Sequence, residues 1–131
     1  MEHMAGTGKK VLIVDDEPVL RNVATAFFQQ SGYDVKGAAD PKEGLRFAAS
    51  WKPDVILLDI IMPDVNGLEV LKKLKNDPET SAIPVFIFSN LDSEEEIAQA
   101  LETGAAGYLT KANYSLEDVQ KKVEEVLSGK K

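Results

Sequence analysis

The chain has 131 residues, a length typical of one domain, and 44% of its residues are hydrophobic while 28% are charged. Its net charge of −7 argues against direct binding to nucleic acid, and the absence of cysteine excludes disulfides and thiolate–metal sites. No apolar run approaches the roughly 18–20 residues of a membrane span. We therefore expect one domain in the cytoplasm, with neither nucleic acid nor membrane as a direct partner.

The first eight residues differ in character from the rest of the chain. Residues 1–8 contain no apolar core of a signal peptide, and a second methionine follows the single histidine, His3. We interpret residues 1–8 as a disordered tail or a vector-derived scar. Residues 9–128 are expected to form the domain, and no output domain is expected after it.

Five strand-like stretches alternate with five helix-like stretches. The strand-like stretches are short and apolar, and they cover residues 10–14, 33–36, 55–58, 85–88 and 106–109. The helix-like stretches carry apolar residues at helical spacing and begin with capping signals. Three starts match capping boxes, and the others begin at Pro18 and Ser115; the boxes pair Asp40 with Glu43, Asn66 with Glu69, and Asp92 with Glu95.

Strict alternation of strands and helices is typical of βαβ units, which build a parallel sheet with helices on both faces. Right-handed crossovers leave few arrangements of five strands, and the flavodoxin-like order 2-1-3-4-5 is one of them. The predicted fold is therefore an α/β, flavodoxin-like, doubly wound (βα)5 sandwich of three layers. In that order strands 1 and 3 lie side by side.

Acidic residues come after these two neighbouring strands. Asp15 and Asp16 come directly after the first strand, and Asp59 comes directly after the third. Ligands bind at the carboxyl edge of open parallel sheets, so three carboxylates are expected in one small volume. Grouped carboxylates repel one another unless a cation neutralises them. Oxygen ligands without cysteine or clustered histidine favour a hard cation such as Mg²⁺.

The fourth and fifth strands bring other chemistry to the same edge. Ser89 follows the fourth strand, and Lys111 follows the fifth. A metal and an ammonium neutralise phosphate oxygens, a hydroxyl donates to one, and a carboxylate is a possible nucleophile. The set is typical of phosphoryl transfer.

From about residue 9 to residue 127 the chain resembles the receiver domain of two-component response regulators. The matching residues are Asp15, Asp16, Asp59, Met62, Pro63, Gly67, Ser89, Tyr108 and Lys111. The resemblance implies that a phosphoryl group moves to Asp59 from a sensor histidine kinase or a histidine phosphotransfer protein. It also implies that Mg²⁺ is held by Asp16, Asp59 and the backbone carbonyl of Ile61, with Asp15 helping partly through water.

The resemblance further implies how the domain switches. Lys111 would pair with the phosphoryl oxygens, while Ser89 and Tyr108 would move on activation, Tyr108 turning inward. The change would be read by an unknown downstream protein on the surface made by helix 4, strand 5 and helix 5. The domain would catalyse only its own phosphorylation and dephosphorylation, and it would be a monomer or a phosphorylation-dependent dimer.

Three positions depart from the family pattern. Ala112 stands where many members have proline, which leaves open whether the preceding peptide bond is cis. Apolar Ile61 and Leu91 stand two positions after Asp59 and Ser89. We expect these apolar side chains to exclude water and to prolong the phosphorylated state.

Two other functions are compatible with the same fold. One is an interaction module that works without phosphorylation, although the acidic residues and Lys111 are retained. The other is an aspartate-nucleophile phosphatase of the haloacid-dehalogenase type. That class has a second acid two residues after the nucleophile, where this chain has Ile61, so the phosphatase is disfavoured.

Overall fold

The computed structural model describes residues 8–63 and 65–129. All but residue 8 of the interpreted tail lies outside these residues. The elements, in chain order, are β1 Lys10–Val14, α1 Pro18–Gln30, β2 Asp34–Ala38, α2 Pro41–Trp51, β3 Val55–Leu58, β4 Ile61–Met62, β5 Val65–Asn66, α3 Gly67–Asn76, β6 Val85–Ser89, α4 Glu94–Thr103, β7 Gly107–Thr110 and α5 Leu116–Leu127. None of the helices in the described ranges is both long and apolar enough to span a membrane.

The main sheet has five parallel strands in the order β2-β1-β3-β6-β7. The predicted order 2-1-3-4-5 is confirmed, because β4 and β5 form a separate two-stranded hairpin. In the register of β1 and β3, Val14 lies opposite Leu58. The two strands therefore end at the same level, and Asp59 N donates a 3.0 Å hydrogen bond to Val14 O. This register is what places the acidic residues side by side.

The sheet is buried on both faces, as its apolar strands predict. Leu12 and Val14 of β1 enter one core cluster, which α2, α3 and α4 cover. Val11 and Ile13, which point the other way, enter a second cluster under α1 and α5. The three-layer arrangement is thus confirmed, and it leaves the carboxyl edge of the sheet open for a site.

The start of α4 differs from the prediction. Ser93, not Asp92, is the N-cap, and its Oγ accepts a hydrogen bond from Glu96 N at 3.2 Å. The predicted box of Asp92 with Glu95 is therefore wrong by one residue. Both residues before the helix are good caps, and local sequence does not decide between them.

The starts of α2 and α3 agree with the predicted cap residues but not with the full boxes. Asp40 Oδ1 accepts from Glu43 N at 2.8 Å, while the Glu43 side chain accepts from Ala39 N. Asn66 Oδ1 accepts from Leu68 N at 2.9 Å. The caps satisfy amide groups of the first turn, which would otherwise lack partners.

The limits of three strands shift by one or two residues, and one of these changes is the extension of β6 to Ser89. β2 begins at Asp34 because Tyr33 is still bound to the end of α1, with its N–H donating to Phe28 O at 3.1 Å. The Tyr33 ring is buried against Phe28, edge to face, with ring centroids 5.4 Å apart. β7 begins at Gly107, where a Cβ would lie 3.0 Å from the Phe86 ring.

The hairpin of β4 and β5 was not predicted, since strands of two residues carry no periodic signal. It pairs Ile61 with Asn66 and Met62 with Val65 directly after Asp59. Gly67 closes it, and a Cβ on that residue would lie 2.2 Å from Ile60 Cα. Only glycine permits this approach, so Gly67 shapes the loop beside Asp59.

Candidate functional site

The three predicted carboxylates converge at the carboxyl edge of the sheet. Asp15 and Asp16 follow β1, Asp59 follows β3, and one oxygen of each lies within 4.8 Å of the others. Asp15 and Asp59 are buried, at 4% and 7% exposed, and Asp16 is half-buried. Buried carboxylates at this spacing need positive charge nearby.

Lys111 supplies part of that charge. Its Nζ donates to Asp59 Oδ2 at 2.9 Å and to Asp15 Oδ2 at 3.0 Å, and it lies 5.7 Å from the centroid of the Phe88 ring. Burial lowers the pKa of Lys111, but the hydrogen bonds and charges of Asp59 and Asp15 outweigh it, so the pKa is raised overall. Lys111 is therefore an ammonium at neutral pH.

Backbone amides hold the remaining oxygens of the two buried carboxylates. Asp59 Oδ1 accepts from Ile61 N at 2.9 Å, and Asp15 Oδ1 accepts from Glu17 N at 3.0 Å. Each bond spans two residues, as in an Asx turn. The carboxylates are thus oriented before any ligand arrives, with Lys111 on the opposite oxygen of each.

Ser89 ends β6, and its side chain is fully buried. Its Oγ accepts from Leu91 N at 3.2 Å, and its carbonyl accepts from Lys111 N at 2.8 Å. Ser89 is therefore hydrogen-bonded both to the backbone of Lys111 and to the loop that leads to α4.

Tyr108 lies on β7 and is half-buried against the core cluster that α4 covers. Its hydroxyl donates to Leu91 O. Burial, followed by the charge of Glu96, raises the Tyr108 pKa, and the nearby Ser89 hydroxyl lowers it by less. Tyr108 thus contacts the loop after Ser89 in this structure, and its inward turn on activation stays a prediction.

A cleft of about 490 Å³ opens beside these groups. Six of its lining residues were named in the sequence analysis, and two were not; the lining is Asp16, Asp59, Ile61, Met62, Pro63 and Lys111, together with Glu17 and Asn90. Glu17 and Asn90 were not assigned a role from the sequence. Asn90 directly follows β6, and Glu17 lies between the acidic pair after β1 and the start of α1, so both stand at the ligand-binding edge of the sheet, which is the signal that identifies them.

The predicted water-excluding residues differ in their placement. Ile61 is 49% exposed and lines the cleft, whereas Leu91 is half-buried and packs against the core cluster under α4. Ala112 is exposed, and no peptide bond in the described ranges, including the one before Ala112, is cis.

The donor set fits a hard divalent cation. Its side-chain ligands are carboxylate oxygens, and it contains no soft sulfur or imidazole ligand. With the three carboxyl groups ionised, the Lys111 ammonium leaves two negative charges uncompensated. One divalent cation neutralises that remainder.

Comparison with known proteins identifies the family. A family profile described as the response regulator receiver domain matches residues 11–124. The chain belongs to this family. Receiver domains accept a phosphoryl group on an aspartate, interact with histidine kinases, generally bind Mg²⁺, and act in signalling rather than as enzymes in the ordinary sense.

Individual relatives differ in length. PilH of Pseudomonas aeruginosa is 39% identical over 120 residues, which cover 92% of this chain and 98% of PilH. The DNA-binding dual master transcriptional regulator RpaA of Synechocystis is 33% identical over 118 residues, which cover 90% of this chain but 48% of RpaA. The chain thus spans nearly all of the first relative and about half of the second.

A solved structure confirms the fold of the receiver domain. The CheY-like response regulator receiver domain protein of Methanospirillum hungatei superposes with a TM-score of 0.87 at 28% identity. The match covers 94% of this chain and 96% of that chain.

Proposed function

We propose that this receiver domain accepts a phosphoryl group on Asp59 in a reaction that requires Mg²⁺. The observation that carries the proposal is the placement of the Asp59 carboxylate. It borders an open cleft, it is oriented by Ile61 N, and it contacts the Lys111 ammonium. The donor is a sensor histidine kinase or a histidine phosphotransfer protein.

The chemistry depends on the groups that Asp59 and its neighbours present. A carboxylate oxygen of Asp59 attacks the phosphorus of a phosphohistidine, so that an O–P bond forms while the P–N bond breaks. The imidazole nitrogen leaves with the electron pair of that bond. Orientation by Ile61 N means that the nucleophile does not have to be arranged during the reaction.

Other residues neutralise the charge of the phosphoryl group. Asp16, Asp59 and the carbonyl of Ile61 would hold Mg²⁺, with Asp15 helping partly through water. When bound, the cation supplies positive charge for the phosphoryl oxygens. Lys111 leaves its carboxylate partners and pairs with a phosphoryl oxygen, which keeps its charge compensated.

Phosphorylation then changes the protein surface. The Ser89 hydroxyl donates to a phosphoryl oxygen, and the loop after it, Tyr108 and the surface of α4, β7 and α5 rearrange for an unknown downstream protein. The domain assists only its own phosphorylation and dephosphorylation. It works in the cytoplasm, where ATP is the source of the phosphoryl group for the kinase. It is a monomer or a phosphorylation-dependent dimer.

Intact-mass measurement after incubation with Mg²⁺ and acetyl phosphate tests the proposal. We expect the wild type to gain one phosphoryl group and Asp59→Asn to gain none. The control, Asp92→Asn, removes an exposed acid outside the residues that line the cleft and is expected to label like the wild type. Excess chelator should abolish labelling. Equal labelling of Asp59→Asn and wild type would contradict the proposal.

A further inference from the structure

Arg21 lies on α1, five residues after Asp16, and reaches back to the loop that carries the acidic pair. Its Nη1 donates a 2.8 Å hydrogen bond to the backbone carbonyl of Asp15. That carbonyl belongs to the peptide unit that joins Asp15 to Asp16, and the unit is planar. The bond therefore restrains the orientation of the whole unit, which ends at the Cα atom from which the Asp16 side chain projects.

Other hydrogen bonds hold the remaining parts of Asp15. Its N–H donates to Ala38 O at 3.0 Å, which fixes the peptide unit before it to β2. Its Oδ1 accepts from Glu17 N, which fixes its side chain. The Arg21 bond acts on the next peptide unit, which is the one that leads to Asp16.

Gly37 of β2 gives Arg21 its path to this loop. A Cβ on Gly37 would lie 3.2 Å from both Cγ and Cδ of Arg21, a distance tighter than ordinary van der Waals contact. The glycine thus lets the aliphatic stem of Arg21 cross β2. The contact between Arg21 and the acidic loop therefore depends on the absence of a side chain at Gly37.

We propose that Arg21 is a positioning residue for the divalent cation of the acidic cluster, acting through the Asp15–Asp16 peptide unit. The proposal rests on the proposed function only in taking Asp16 as a ligand of that cation. Replacing a residue that orients a metal ligand typically weakens affinity by about 10- to 100-fold. Loss of the Arg21 bond is expected to fall at the low end, because one ligand of several is affected.

Two other roles for Arg21 predict different results. If it were only a nearby positive charge, its removal would reduce repulsion of the cation and tighten binding. If it only stabilised α1, its removal would lower the melting temperature and leave cation affinity unchanged. The sign of the change in affinity therefore separates the three roles.

The experiment is a calorimetric titration of Mg²⁺ into wild type, Arg21→Met, Arg21→Lys and Gly37→Ala. Arg21→Met keeps the stem over Gly37 but loses the donor, so Mg²⁺ should bind about 10-fold more weakly. Arg21→Lys keeps a charged donor, so its affinity for Mg²⁺ should lie between those of the wild type and Arg21→Met. Gly37→Ala displaces the stem and should weaken binding by a smaller factor. The control, Arg46→Met, removes the same charge from an exposed position on α2 and should bind like the wild type.

A second measurement tests the contact without metal. The carbonyl ¹³C shift of Asp15 and the amide ¹⁵N shift of Asp16 should both move in metal-free Arg21→Met, and not in Arg46→Met. Unchanged shifts, unchanged Mg²⁺ affinity or tighter Mg²⁺ binding in Arg21→Met would each overturn the proposal. If the wild type binds no Mg²⁺, the proposed function fails as well, and that result is seen before any variant is compared.

Discussion

Ser89 and Tyr108 hold opposite sides of one residue, Leu91. The Ser89 hydroxyl accepts from Leu91 N, and the Tyr108 hydroxyl donates to Leu91 O. If a phosphoryl group on Asp59 draws the Ser89 hydroxyl toward itself, Leu91 N loses its acceptor. The loop that leads to α4 is then free to move, and Tyr108 moves with it. Leu91 is therefore the point at which we expect the two residues to be coupled when the domain switches.

Ser89→Ala is therefore expected to uncouple phosphorylation from the surface of α4, β7 and α5. The measurement is the change in amide NMR shifts when beryllofluoride, a phosphoryl mimic, is added with Mg²⁺. In the wild type the changes should extend through residues 89–118, whereas in Ser89→Ala they should stay near Asp59. Tyr108→Phe removes only the hydroxyl that donates to Leu91 O, and it should make the amide shift changes at α4 smaller. Identical changes in wild type and Ser89→Ala would contradict this mechanism.

Lys111→Met should have opposite effects on cation binding and on labelling. Without the ammonium on Asp15 and Asp59, Mg²⁺ should bind more tightly, while labelling by acetyl phosphate should slow because a phosphoryl partner is lost. Breaking a buried ion pair should also lower the metal-free free energy of unfolding by about 3 kcal/mol. Calorimetry and urea unfolding measure these changes, and Lys122→Met, an exposed lysine of α5, is the control. An unchanged free energy of unfolding together with an unchanged Mg²⁺ affinity would show that the ion pairs contribute to neither.

Tyr33 predicts a dependence of stability on alkaline pH. Burial, followed by the charge of Glu124, raises the pKa of Tyr33 to about 12, and its hydroxyl has no hydrogen-bond partner among the described residues. The unfolded chain loses this proton near pH 10, so the folded state binds more protons between pH 10 and 12. The free energy of unfolding of the wild type is therefore unaffected by this proton below pH 10, and it falls as the pH rises from 10 toward 12.

Tyr33→Phe isolates this effect. Near pH 8 the variant should be more stable than the wild type by about 1 kcal/mol, because an unpaired buried hydroxyl is removed. Above pH 10 its advantage should grow by about 1.4 kcal/mol per pH unit. Urea unfolding of both proteins at pH 8, 10 and 11 is the measurement. Parallel stability curves across this range would refute the assignment.

Ile61 is expected to control the lifetime of phospho-Asp59. It lines the cleft and supplies no group that positions water, whereas Leu91 packs into the core cluster and not into the cleft. Ile61→Asn should therefore shorten the lifetime severalfold, and adding Leu91→Glu should bring a smaller further change. Val65→Asn, at the facing strand of the hairpin but outside the cleft, is the control. The decay of the phosphorylated mass after the donor is removed gives the rates, and equal rates in wild type and Ile61→Asn would exclude the water-exclusion argument.

The fold and the centre of the site were predictable because they depend on strong local patterns. The apolar run before Asp59 identifies a strand buried on both faces, and parallel pairing puts the ends of such strands at one edge. Asp15, Asp16, Asp59 and Lys111 meet for that reason. The resemblance to receiver domains adds roles to these positions, and the structure brings the same side chains together.

The features that the sequence did not predict depend on contacts that leave no periodic pattern of residues in the sequence. The bond from Arg21 to the Asp15 carbonyl requires a long side chain to cross β2, and the only trace of it is a glycine at position 37. The hairpin after Asp59 has two-residue strands, too short for an alternating pattern. The predicted start of α4 was wrong by one residue because Asp92 and Ser93 are both good caps, and the choice between them depends on tertiary context.

Locating the phosphoryl group within the chain tests the central claim most directly. The wild type, labelled with acetyl phosphate and Mg²⁺, is reduced with borohydride, which converts a phosphoaspartate to homoserine, and the digested peptides are sequenced by mass spectrometry. We predict homoserine at position 59 and unmodified aspartate at positions 15 and 16. Homoserine at either of those positions with intact aspartate at 59, or a stable phosphoryl group on a serine or threonine, would contradict the assignment of Asp59.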